Sequence, residues 1–124
     1  SLCAIAYANR GVAYFSNKDY NTAIADFTNA ISIDPKSDIS YYNRGLCYYN
    51  LQQYEKAVLD LSKAIEVNPD YLIAYFDRAN IYTYLYLWDK AIADYTTVLN
   101  KKPDHVEAYL NREYAMKMLE AQNK

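Results

Sequence analysis

The stretch YYNRGLCYYNLQQYEKAVLDLSKAIEVNP, residues 41–69, decides the fold. Its apolar spacing is helical, in two runs. Tyr41, Gly45 and Tyr48 share one face by i, i+4, i+7 spacing. Beyond the polar pair Gln52-Gln53, residues Tyr54, Ala57, Val58, Leu61, Ala64 and Ile65 make a second amphipathic stripe. Pro69 closes the unit, because a residue without an N–H cannot continue a helix. The stretch reads as two antiparallel helices joined by a short polar turn.

Outward from it, the same unit recurs. Prolines stand at 35, 69 and 103, a step of 34. Tyr7, Tyr41, Tyr75 and Tyr109 keep that step, as do Arg10, Arg44, Arg78 and Arg112. Tyr14, Tyr48 and Tyr82 follow it, then Ala23, Ala57 and Ala91, and then Asp26, Asp60 and Asp94. A register held without drift over three cycles is the mark of a repeat architecture.

The order aromatic, small residue, Tyr, Ala, large apolar, Ala, Pro resembles the tetratricopeptide repeat family. It reads Tyr7, Gly11, Tyr14, Ala23, Phe27, Ala30, Pro35, then Tyr41, Gly45, Tyr48, Ala57, Leu61, Ala64, Pro69. The third copy is Tyr75, Ala79, Tyr82, Ala91, Tyr95, Val98, Pro103, and a partial fourth begins at 106. The resemblance implies an all-α chain: a right-handed α-solenoid of three helix-turn-helix units plus a C-terminal capping helix, its first helices lining a concave groove. Residues 1–124 are then expected to form a single domain, with repeats near 4–37, 38–71 and 72–105 and a terminal helix near 106–122.

Physical reasoning points the same way. Gly11, Gly45 and Ala79 are small where two helices must approach closely. One helix pair cannot bury its apolar faces alone, so neighbours stack into a continuous core. The last helix carries Glu113, Lys117, Glu120, Gln122 and Asn123, which predicts a polar capping helix. Asp19 is placed to cap the second helix, and Asp38, Asp70 and Asp104 lie near helix starts, where carboxylates suit the dipole.

Composition narrows the function classes. Net charge is −2, from 13 basic and 15 acidic residues, which leaves no electrostatic footprint for nucleic acid and no polybasic patch for a membrane surface. No apolar run approaches the ~20 residues of a membrane span. The opening SLCAIAYANRG lacks a basic n-region followed by an apolar stretch, so no signal peptide is expected in it. Cys3 and Cys47 have no metal or redox spacing, and a reduced, cytoplasmic setting is the simpler expectation. Cys47 reads as an apolar filler. His105, the sole histidine, is expected to be a solvated linker residue. No glycine-rich phosphate loop, nucleophile–base pair or metal-ligand cluster is visible, so neither catalysis nor any cofactor or metal is expected.

The repeated polar residues divide into two groups. Arg10, Arg44 and Arg78 each precede an aspartate by 16 residues: Asp26, Asp60 and Asp94. Positions equidistant from a hairpin turn face each other, which predicts an ion pair within each repeat, with the planar guanidinium holding the carboxylate by two bonds. Arg112 has no such aspartate. The other group is Asn9, Asn43, Asp77 and Asn111, on the first-helix face turned away from the second helix. Tyr42, Leu46, Tyr49, Phe76, Asn80 and Tyr84 flank them. An amide matches the donor and acceptor of a peptide backbone, and the neighbouring aromatics supply anchors. The bland alternative is a hydrated polar groove. The resemblance adds that similar asparagine rows hold extended peptides in this family.

The family's grip on a chaperone's C-terminal carboxylate uses lysine, asparagine and arginine at set places. Those places map here onto Ala8, Val12, Asn43, Ile73 and Asp77. Only Asn43 fits, and Asp77 has the wrong charge, so that ligand is disfavoured. The expected function is a non-catalytic scaffold that binds a peptide segment or partner helix in the groove. The alternative is a self-associating module, a homo-oligomer assembled through repeat ends or through Tyr86 and Leu87, which stand where other turns are polar. Trp88, in the place of Tyr20 and Tyr54, is expected to pack inward.

Overall fold

The computed structural model describes residues 1–124. It holds seven helices and no strand: α1 (Leu2–Ser16), α2 (Tyr20–Ile33), α3 (Asp38–Asn50), α4 (Tyr54–Val67), α5 (Leu72–Tyr84), α6 (Trp88–Lys101) and α7 (Val106–Gln122). The chain forms two compact units, Ser1–Pro69 and Asp70–Lys124. In the first, α1 pairs with α2 and α3 with α4, and α2 packs on α3. In the second, α5 pairs with α6, and α7 lies against α6.

Each hairpin turn is built the same way. The Asp19 N–H donates to the Tyr14 carbonyl and the Lys18 N–H to that of Phe15, both at 2.9 Å. Gln53 and Gln52 repeat this on Tyr48 and Tyr49. Leu87 and Tyr86 repeat it on Tyr82 and Thr83. These paired bonds are the Schellman closure of a helix, which demands one left-handed residue. Here that residue is Lys18, Gln52 or Tyr86, at φ 62°, 59° and 60°, and never glycine. Side-chain caps start four helices: Ser1, Asp19 and Ser37 by oxygen, and His105 by Nδ1, which accepts from the Ala108 N–H at 3.1 Å. His105 is therefore a half-buried capping residue rather than a solvated linker. The Phe76 ring lies 4.8 Å from its own, which accounts for the loss of exposure.

The first unit's core joins Ala23, Phe27 and Cys47, packed by Tyr14, Phe15, Tyr20 and Ile24. Ala57, Leu61 and Ala64 are fully buried between α3 and α4. A fully buried Phe or Leu contributes about 1.5–3 kcal/mol, so one large residue per hairpin among alanines dominates the helix contact. Gly11 allows that approach: a Cβ there would stand 2.7 Å from Phe27 Cε1. The second unit buries Ala79, Trp88, Ala91, Tyr95, Val98 and Leu99 with Ala108 and Ala115 of α7. Trp88 does pack inward, while Tyr86 remains exposed.

α7 is not the polar cap that its charged residues suggest. Val106, Tyr109, Leu110, Tyr114 and Met116 are all exposed on it. Only the Ala108 and Ala115 stripe is buried, because α6 covers a single narrow face.

Candidate functional site

The three repeated arginines expected to pair within their repeats are bound inside their own hairpins. Arg10 Nε and Nη2 donate to the two Asp26 oxygens at 2.9 and 2.8 Å. Arg44 does the same to Asp60 and Arg78 to Asp94, each bond 2.8 Å. The aspartates are buried, and each guanidinium also lies over the tyrosine three residues earlier. The Asp60 hydrogen bond raises the Arg44 pKa above its ordinary value despite the opposing pull of burial. At Arg78 burial is the largest influence and acts downward, yet the Asp94 bond and charge overcome it. Such pairs orient the helices of a hairpin more than they add net stability.

The face of each first helix turned from its partner is different. In the first unit α1 carries Asn9 in the open, with Ile5 and Val12 exposed beside it. On α3, Tyr42, Asn43, Leu46 and Tyr49 are half-buried and Ile39 is exposed. The Tyr49 ring leans on Tyr54 at 5.9 Å.

In the second unit Phe76, Asp77 and Asn80 of α5 and Asn111 of α7 are half-buried, and Tyr84 is exposed. The structure brings Asn80 and Asn111 together. Asn80 Oδ1 accepts from Asn111 Nδ2 at 3.3 Å and from the Tyr95 hydroxyl. Burial pushes the Tyr95 pKa up, with hydrogen bonds to Thr83 and Asn111 resisting, so the phenol keeps the proton it donates. Sequence reasoning missed this network, because Tyr95 belongs to the opposite helix of the hairpin. It fixes both amides and commits the Asn80 carbonyl. The Asn80 NH2 and the Asn111 carbonyl take no part in it.

Sequence reasoning also missed a hollow of about 260 Å³. Ile73, Phe76, Val98 and His105 line it, with Lys102 and Glu107 among its polar residues. Phe76 is held there edge-on to Tyr95 at 6.1 Å. The missing signal was the cap: once His105 is drawn to the start of α7, its ring closes one side of the hollow. No three His, Cys, Asp or Glu side chains meet where they could hold a metal ion. No helix is long and apolar enough to cross a membrane.

Helix hairpins repeated at a fixed step, with one apolar register left open, define an all-α helical-repeat scaffold. The chain belongs to the tetratricopeptide repeat family, which it matches over residues 4–37 and 39–71. The fold is shared with a solved first tetratricopeptide domain of Spaghetti (RPAP3) bound to the HSP90 peptide SRMEEVD. That likeness has 28% identity, TM-score 0.91, and covers 96% of this chain and 94% of the other. The second such domain of human RPAP3, in complex with the HSP70 peptide SGPTIEEVD, is 29% identical at TM-score 0.86, covering 93% and 96%. The OM64 domain of Arabidopsis shares the fold at 23% identity and TM-score 0.86, covering 93% and 95%. No curated protein matches the chain. Family and fold together make it a protein-interaction scaffold.

Proposed function

We propose that the protein binds a peptide segment along the open faces of its first helices, and that the segment is uncharged or basic. One observation carries this. Ile5, Ile39 and Ile73 stand at the same register of successive first helices and are 55%, 53% and 52% exposed. A branched aliphatic left half in water at three successive steps is costly to a scaffold unless another surface covers it. Asn9 and Asn43 beside the first two, and Asp77 beside the third, offer hydrogen bonds to a backbone. The hollow beside Phe76 supplies room for one apolar anchor.

The solved relatives hold acidic chaperone peptides. By the family correspondence, their carboxylate-gripping positions fall here on Ala8, Val12, Asn43, Ile73 and Asp77. Four of those five lack the required group, and Asp77 repels a terminal carboxylate. A neutral or basic segment suits that face better.

Panning a random peptide library on the full chain, then titrating the best binder, tests the reading. Phe76→Ala is expected to weaken it at least about tenfold. Ile73→Ser, a surface change that spares the core, lowers affinity with the thermal midpoint unchanged. Unaltered affinity in Asn43→Ala and Phe76→Ala together removes the reading.

A second reading, self-association, rests on Tyr86, which is 72% exposed, its ring tilted 38° and 5.6 Å from that of Trp88, beside exposed Leu87. Light scattering over a concentration series decides it. A strict monomer, or a dimer indifferent to Leu87→Glu, excludes that turn as the contact.

A further inference from the structure

The backbone of α7 decides which nitrogen of His105 carries its hydrogen. Nδ1 accepts from the Ala108 N–H at 3.1 Å, and a backbone N–H can only donate. Nδ1 therefore presents a lone pair, and the ring hydrogen sits on Nε2. This is neutral imidazole in a single tautomer. Imidazolium bears hydrogens on both nitrogens and cannot make this bond.

The same ring is a wall of the hollow. It lies 4.8 Å from the Phe76 ring at an interplanar angle of 39°, and both rings line that space. The backbone of His105 is held separately. Its N–H donates to the Lys102 carbonyl, and its carbonyl accepts from the Tyr109 N–H, both at 3.1 Å. Those two bonds are indifferent to ring charge, whereas the cap is not.

We infer that His105 is a positioning residue for the apolar anchor and makes the hollow acid-labile: the cap holds the neutral ring beside Phe76, and protonation releases it. This rests on the peptide-binding reading above and adds its regulation. Protonation turns the cap into two N–H groups facing each other and sets a cation at a helix N-terminus, where the dipole disfavours it. Lys102 adds a like charge at the hollow and Glu107 an opposite one, while Asp104 precedes the ring in sequence. All three are exposed, so water and salt screen them. From α5 come Leu72, Ile73 and Phe76, none of them ionisable. Cation–π attraction to Phe76 opposes release, but it is weak at a half-exposed site and does not restore the lost acceptor. His105 is the sole histidine of the chain, and histidine is the side chain whose ordinary titration falls between pH 5 and 8.

Two measurements on the full chain test this, and the first needs no peptide. Nitrogen-15 shifts of the ring at pH ~7.5 are expected to show the Nε2–H tautomer. On acidification to pH ~5.5 the Ala108 amide resonance should move with the ring, and the Phe76–His105 ring NOE should fade. The second uses the best panned peptide that lacks His, Asp and Glu, with both ends blocked. Its affinity should fall about fivefold or more between those two pH values, the scale of a lost helix cap. His105→Asn keeps a capping acceptor that does not titrate, so its affinity should change by less than about twofold over the same interval. The ratio between pH values is read in each protein, which cancels the loss of the ring itself. A ring that titrates while the Ala108 amide and the ring NOE stay unchanged overturns the inference. So does an equal pH ratio in wild type and His105→Asn. If no peptide binds at pH ~7.5, the binding reading falls, and the amide and NOE alone decide whether acid releases the ring.

Discussion

At Cys47, burial acts on a single atom. The thiol is fully enclosed with Ala23 and Phe27, and its pKa is pushed up to about 12, first by burial and then by the charge of Asp60. The unfolded chain titrates this thiol near ~8.5. The folded value is therefore the higher one, and the thiol's contribution is intact below the unfolded pKa and lost as pH rises toward the folded one. Between neutral pH and pH ~10 the wild type should lose about 2 kcal/mol more stability than Cys47→Ala. Urea unfolding of both proteins at the two pH values measures this. The comparison cancels the tyrosines, which titrate in the same range. An equal loss in both proteins shows that the thiol ionises as freely inside as outside. The sequence reading of Cys47 as a filler was available because it neighbours Tyr48 on a packed helix. Asn80 was not readable in the same way. Its carbonyl is claimed by Tyr95, and no spacing within α5 encodes a hydroxyl arriving from α6.

Among the elements, hairpins and their Arg–Asp pairs were legible because antiparallel geometry converts a spacing of 16 residues into a contact. Turn chemistry was not, because the left-handed positions carry Lys18, Gln52 and Tyr86 instead of the usual glycine. A non-glycine there costs roughly 1–2 kcal/mol in backbone strain, and a glycine costs roughly 0.5–1 kcal/mol in chain entropy. Gln52→Gly should thus hold or raise stability by about 0.5 kcal/mol, while Gln52→Val lowers it by about 1 kcal/mol or more. Thermal unfolding that ranks valine above glycine contradicts this account. The helix contacts yield a paired forecast. Gly11→Ala drives a Cβ to 2.7 Å from a ring that the core holds fixed. Overpacking of about 1–3 kcal/mol then exceeds the helix-propensity gain of about 1 kcal/mol. At Gly45 the nearest approach is 3.3 Å, so Gly45→Ala should stay within about 0.5 kcal/mol of wild type. Ala79, which fills the same register without harm in α5, supports the milder outcome there.

For the whole molecule, the partner proposed above rests on charge and exposed surface. A net charge of −2 spread over many helix faces makes no long-range field that would gather acidic ligands. The open first-helix registers hold isoleucines and amides, whose attraction survives salt, unlike that of a clamp of lysines. Two measurements follow from the same physics. The peptide SRMEEVD, held by the Spaghetti domain, should show no saturable binding to this chain at concentrations where a selected apolar peptide saturates it. The selected peptide should in turn weaken by no more than about threefold between roughly 0.05 and 0.5 M salt, since only short-range contacts bear its affinity. Calorimetry reports both, and apolar burial should appear in it as a negative heat-capacity change. Strong SRMEEVD binding would mean that Asn43 and unrecognised cations rebuild the clamp despite Asp77. A steep salt dependence with the selected peptide would shift the recognition from the isoleucine registers to Asp77 and Glu107, leaving the scaffold intact but its specificity electrostatic.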